Sequence, residues 1–135
     1  MTNPETARRI LLAEDNPHDQ FLLEESFAAE NLNVQIDSVS DGDQLIERLR
    51  AAAGSYSVIV LDAHLPKRSA EEVLAVLQAE QGQLPVPVVV LTSLLPEAQK
   101  IRFQELGVRA ILTKPLDLDE YLVLARTIHG MSATV

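Results

Sequence analysis

Four of the aliphatic runs in this chain end in groups that could do chemistry: Glu14 and Asp15 after one, Asp62 after another, Thr92 with Ser93, and Lys114 with Pro115. Carboxylates crowded together repel one another and resist ionisation unless a cation offsets their charge. A small hard dication with oxygen ligands would do so, and Mg²⁺ is the usual occupant where a phosphate also binds. Lys114 would add a fixed point charge for a phosphoryl oxygen, and Thr92 a hydroxyl donor. A carboxylate can attack phosphorus to give an aspartyl phosphate when metal and lysine absorb the charge that builds on the transferring oxygens. Asp62, between the acidic pair and the Thr and Lys in chain order, is the best-placed attacker.

These groups act together only if the fold brings them together. Aliphatic runs at 10–13, 34–39, 58–61, 88–91 and 110–112 are each followed by helical spacing, at 19–30, 44–52, 70–79, 97–106 and 118–129. Four runs are nearly continuous in apolar residues, as strands buried on both faces of a parallel sheet are. Pro17 suits a first helical turn, Pro87 a strand start, and Gly54, Gly82, Gly107 and Gly130 fall where helices should stop. Five strand-helix units in one domain predict a doubly wound α/β sheet with right-handed crossovers. Ligands of such sheets bind at the carboxyl ends of the strands, where all of these polar residues fall.

Taken singly, each residue has an ordinary explanation. Glu14 and Asp15 could cap a helix, Asp62 could serve the turn before Leu65 and Pro66, Thr92 could open a helix, and Lys114 could be a solvated lysine. At the ends of four strands of one sheet, the joint site is the stronger reading. His64 sits in the loop after Asp62, and neither His18 nor His129 has ligand spacing to it, so a zinc site is not expected.

Composition narrows the classes. A length of 135 residues predicts one domain, with its core at about 8–130 and short tails. A formal charge of -9 argues against nucleic acid or an anionic membrane as partner and for protein. The absence of cysteine suits a reducing cytoplasm, and no run approaches the length of a membrane span.

The strings LLAEDNP, VIVLDAHLP, VVVLTS and ILTKP, in that order and spacing, resemble the receiver domains of two-component response regulators over nearly the whole chain. The resemblance implies a flavodoxin-like sheet of five parallel strands in the order 2-1-3-4-5 with five helices. It implies that Asp62 is the phosphoacceptor, Asp15 a direct Mg²⁺ ligand, Glu14 a neighbour acting through metal-bound water, and His64 a ligand through its backbone carbonyl. Thr92 would be the switch hydroxyl, Ser93 the small residue that leaves it room, and Lys114 the phosphate-binding lysine, followed by a cis bond to Pro115. Ile111 departs from the pattern, standing where many receivers carry a Tyr or Phe coupled to the switch. Ala70 replaces a common glycine, and His64 and Leu94 occupy positions that set the lifetime of the phosphoryl group.

The strings EDNPHDQ, LDAHLPKR and TKPLDLDEY resemble, more narrowly, the single-domain regulators that work with bacterial phytochromes. That resemblance implies a bacterial source, a stand-alone regulator and a histidine-kinase donor, a bacteriophytochrome among the candidates, or a phosphotransfer protein. A phosphate sink or relay is the alternative to an output role. A phosphatase of the haloacid-dehalogenase type would need a second Asp where His64 stands, and a pseudo-receiver would normally lack one of Glu14, Asp15, Asp62 and Lys114. The chain is thus expected to catalyse only its own phosphotransfer and dephosphorylation. In the fifth helix Leu118, Leu122 and Ala125 would cover the sheet, with Tyr121, Val123, Leu124 and Ile128 in surplus. In the fourth, Phe103 would lie off the core face taken by Ile101. Surplus apolar surface predicts a homodimer through the fifth helix, aided by the fourth.

Overall fold

The computed structural model describes residues 8–84 and 86–132; the expected N-terminal tail and residues 133–135 of the C-terminal one lie outside the described residues, while Met131, expected in that tail, is helical. Five strands alternate with five helices: β1 (Arg8–Ala13), α1 (Pro17–Ala29), β2 (Val34–Val39), α2 (Gly42–Ala52), β3 (Val58–Asp62), α3 (Ala70–Gln81), β4 (Val88–Thr92), α4 (Glu97–Glu105), β5 (Ala110–Thr113) and α5 (Leu118–Met131). All strand pairs are parallel, in the order β2-β1-β3-β4-β5, as the resemblance implied.

Period-two alternation splits the core between the two faces of the sheet. Leu11, Ala13, Ile59, Leu61, Val88 and Val90 meet α2, α3 and α4 on one side. Ile10, Leu12, Val58, Val60, Val89 and Leu91 meet α1 and α5 on the other. The central strands β3 and β4 are buried throughout, which is why their sequences read as unbroken aliphatic runs. In β2, at the edge, Val34 and Ile36 face the α1 and α5 side around exposed Gln35, and the strand ends with Val39 buried on the opposite side.

Helix ends follow the expected chemistry in part. Pro17 occupies the first turn of α1, and the Asn16 side chain accepts hydrogen bonds from the His18 and Asp19 amides, so Asn16 rather than the acidic pair caps this helix. Gly82 and Gly107 take left-handed conformations after α3 and α4. Gly54 instead lies in a 3₁₀ turn (Ala53–Ser55) that carries α2 toward Tyr56, and Gly130 sits inside α5. Helix α5 runs past that glycine because its end is held: the Ser132 amide donates to the Ile128 and His129 carbonyls, and the Arg8 guanidinium bonds the Ser132 hydroxyl at 2.8 Å.

The apolar faces of α4 and α5 differ from expectation. Phe103 is buried and Ile101 exposed, the reverse of the periodicity reading, because Phe103 joins the core formed by α2, α3 and this side of the sheet. On α5, Tyr121, Leu124, Ala125 and Ile128 cover the sheet and α1, while Leu118 is 59% exposed and Val123 51%. Of the Leu118, Leu122, Ala125 set only Ala125 is fully buried; Leu122 is half-buried, and Tyr121, Leu124 and Ile128 complete the stripe.

The loop after β3 is strapped to the start of α2. Lys67 adopts a left-handed φ of 69° and its ammonium lies 3.4 Å from Asp41, while the Arg68 guanidinium reaches Asp43 at 2.7 Å. Between them the Gly42 amide donates to the Pro66 carbonyl. A Cβ at position 42 would stand 2.7 Å from Arg68 Cβ, 2.8 Å from its carbonyl oxygen and 2.9 Å from Val73 Cγ2. Gly42→Ala should therefore destabilise the fold by about 1–3 kcal/mol. Gly54→Ala, whose Cβ meets nothing within 4 Å, should leave the urea midpoint nearly unchanged. Equal midpoints for the two variants would contradict this account.

Candidate functional site

Parallel pairing puts every strand's carboxyl end on one edge, and the reversal of strand order falls between β1 and β3. Glu14 and Asp15 follow β1 directly, and Asp62 is the last residue of β3, so the carboxylates flank that reversal. One oxygen from each of Glu14, Asp15 and Asp62 lies within 4.8 Å of the others. This hard-oxygen donor set suits a small dication such as Mg²⁺ or Mn²⁺.

Lys114 closes the cluster from β5. Its Nζ lies 2.8 Å from Glu14 Oε1, 3.2 Å from Asp62 Oδ2 and 3.3 Å from Asp19 Oδ2. The ammonium keeps only 18% of its side-chain surface exposed, so these bonds act with little solvent screening. Burial opposes its charge, yet the hydrogen bond to Glu14 and the negative field of Asp62 raise its pKa above the ordinary lysine value.

The acidic residues are not equivalent. Burial, followed by the hydrogen bond shared with Asp62, pushes Glu14 up to about 7, with Lys114 pulling the other way. For Asp62 burial is again the largest influence and disfavours ionisation. The hydrogen bonds from Glu14 and the His64 backbone N–H, together with the Lys114 charge, outweigh it and hold Asp62 below the ordinary carboxylate range. The two carboxyls are thus pushed in opposite directions, as interacting like charges are, and they titrate as a pair. Asp15 is exposed and, among the described residues, has neither a hydrogen bond nor an ion pair on its carboxylate, leaving its oxygens open.

Other expected site residues stand near or apart from this centre. The His64 amide donates to Asp62 Oδ1 at 3.0 Å while its side chain is exposed. Thr92 is buried at the end of β4, with its hydroxyl donating to the Leu94 carbonyl at 3.0 Å rather than to a carboxylate. Ser93 is exposed, and Ile111 is half-buried against the α3 and α4 side of the core. The bond between Lys114 and Pro115 is trans, contrary to the cis expectation. Trans is the lower isomer of an X–Pro bond by about 0.5–1 kcal/mol. Here the Lys114 amide pairs with the Thr92 carbonyl at 2.9 Å while its ammonium reaches all three partners, so nothing in this backbone requires the costlier form.

Two contributors escaped the sequence reading. Asp19 supplies a third carboxylate to Lys114, and Gln20 donates its side-chain amide to the Glu14 carbonyl. Pro17 was the available signal: starting α1 there, rather than at residue 19, places residues 19 and 20 in the turn above the end of β1.

Residues 10–126 match the model of the response regulator receiver domain. The chain is 31% identical over 127 residues to the response regulator Rcp1 of Synechocystis sp., covering 90% of itself and 86% of that protein. It is 34% identical over 110 residues to the peroxide stress-activated histidine kinase mak2 of Schizosaccharomyces pombe, where it covers 78% of itself but only 5% of the kinase's length. Among solved structures, the phosphorylated cyanobacterial phytochrome response regulator RcpA superposes with a TM-score of 0.80 at 30% identity, over 90% of this chain and 91% of that one. The Mn²⁺-bound form of Rcp1 does so at 0.78 and 29%, over 91% and 92%. With the fold, the strand-end carboxylates and a family match across nearly the whole chain in agreement, this protein belongs to the response regulator receiver domain family.

Proposed function

We propose that Asp62 accepts a phosphoryl group from a phosphohistidine of a sensor kinase or phosphotransfer protein. The observation that carries this reading is the place of Asp62: buried at the end of a central strand, 3.2 Å from the Lys114 ammonium and grouped with the Glu14 and Asp15 carboxylates. An Asp62 carboxylate oxygen forms the new bond to phosphorus while the donor nitrogen departs with the electron pair of the broken bond. Lys114 faces the charge on the transferred oxygens, and the His64 amide fixes the orientation of the carboxylate. Asp15, Glu14, Asp62 and the His64 carbonyl are the groups that would hold Mg²⁺, which supplies positive charge to the phosphoryl oxygens. The Mn²⁺ in the solved Rcp1 supports such a site. Water attacking the acyl phosphate would end the signal in the same place.

Thr92 is the switch in this reading: its hydroxyl leaves the Leu94 carbonyl for a phosphoryl oxygen, and exposed Ser93 leaves room for the movement. With Ile111 at the usual aromatic position, the response passes through the 93–96 loop. Similarity to Rcp1 and RcpA supports a phytochrome-type kinase as donor and protein contact as output. Among the described residues no helix is long and apolar enough to cross a membrane. Exposed Leu116, Leu118 and Val123 give α5 and the loop before it an apolar face suited to a two-fold dimer.

Three measurements test this. Incubation with a small-molecule phosphodonor and Mg²⁺ should label Asp62 alone by mass spectrometry, and Asp62→Asn should abolish that label; undiminished labelling of the variant would refute the assignment. In calorimetric titration, Asp15→Asn should weaken Mg²⁺ binding about tenfold or more and Glu14→Gln less, since Glu14 is already engaged by Lys114 and Asp62. Losses in the reverse order would overturn the assigned roles. Sedimentation equilibrium at tens of micromolar should show a wild-type dimer, and Val123→Glu should raise its dissociation constant about tenfold or more. A monomeric wild type, phosphorylated or not, would sink the dimer.

A further inference from the structure

Lys100 and Arg109 stand out in a chain with a formal charge of -9. Every other Lys or Arg side chain holds an ion pair or hydrogen bond: Arg8 on the α5 terminus, Lys114 in the acidic cluster, Lys67 on buried Asp41, and the rest on surface or half-buried carboxylates. Among the described residues these two alone have none, and both line the same cavity, of about 410 Å³, between α4 and β5.

The cavity has a structural cause. Along its length α4 buries only Phe103. Edge strand β5 is at most half-buried in each of its residues, so the two elements do not close on one another. Ile111, where a larger ring would reach farther, leaves the space between them unfilled. Leu95, Val108 and Ile111 give this cleft apolar walls, and Ser93 and Thr113 add hydroxyl groups.

We propose that this cleft is a binding site for a small organic anion with an apolar body, an aryl- or branched alkyl-carboxylate. Its volume lies in the range of about 300–1,000 Å³ that holds small-molecule ligands, and its lining is more polar than apolar, with Leu95, Val108 and Ile111 as the apolar part. Acidic surface elsewhere on the chain repels an anion, whereas two uncompensated cations here attract one. Charge alone is not enough, because exposed cations hold a bare anion weakly under salt screening. The apolar walls supply the remainder, and they select a ligand carrying both features. Neither cation belongs to the acidic cluster, but Thr92, Ser93 and Leu95 line the cleft, so the site adjoins the segment that the proposed switch would move.

The test is an amide NMR titration of the full ¹⁵N-labelled chain at fixed ionic strength, without phosphodonor. The probes are 3-phenylpropionate, its neutral analogue 3-phenylpropanamide, and acetate. Phenylpropionate should produce saturable shifts concentrated in residues 93–100 and 108–113. Phenylpropanamide should bind about tenfold more weakly and acetate should not saturate. The double variant Lys100→Gln with Arg109→Gln changes only exposed side chains and should lose about tenfold in affinity. Ile111→Phe, if folded by circular dichroism, should lose binding by filling the cleft. Shifts that fail to saturate, equal binding of acid and amide, or an unchanged affinity in the double variant would each overturn the site.

Discussion

The Lys114 ammonium is the point on which the carboxyl edge depends. Glu14 and Asp62 are both almost fully buried with carboxylate oxygens within 4.8 Å of one another, and two such groups resist joint ionisation unless a cation stands beside them. That cation arrives from β5, with β4 lying between its strand and Asp62, so strand order, parallel direction and register must all be right for the bonds to form. Leaving one partner of such a buried pair uncompensated costs about 3–5 kcal/mol, a large fraction of a small domain's stability. The geometry that gathers Glu14, Asp62 and Lys114 is therefore also part of what holds the strand ends in place.

Strand positions and the roll of site groups were legible because both rest on local rules. Buried parallel strands must be aliphatic throughout, and the polar residue that ends each run marks where the sheet meets solvent, which is why Glu14, Asp62, Thr92 and Lys114 could be placed on one edge before any coordinates. What escaped depends on tertiary contact. Asp19 joins Lys114 only because α1 starts at Pro17 and turns its first residues over the end of β1. Glycine position alone did not separate Gly82 and Gly107, which end helices, from Gly130, where packing of Ile128 and the hold of Arg8 on the helix end offset the roughly 1 kcal/mol glycine penalty.

Helical faces were the least legible feature. In α4 the periodicity of the sequence is weak, since Ile101 and Phe103 lie on different faces and only the neighbouring elements decide which one is inside. Tyr121 illustrates the same point on α5. Its ring packs with Leu12 and Leu124 in the core on that side of the sheet, and burial raises the pKa of its hydroxyl. A side chain that looked like surplus surface is thus structural, and the apolar area left exposed is narrower and lies toward Leu116, Leu118 and Val123.

The strap between α2 and the loop that follows Asp62 also limits how the chain can diverge. From Ala63 to Ser69 the loop is held at several points, by the Gly42 amide on Pro66 and by Lys67 and Arg68 on Asp41 and Asp43. An inserted or deleted residue would shift all of these partners out of step and change which backbone atoms overhang the Asp62 carboxylate. Side chains such as His64 and Pro66 are exposed and free to change in type. The number of residues in the loop is not free, and its length is set by a glycine some twenty positions earlier in the chain.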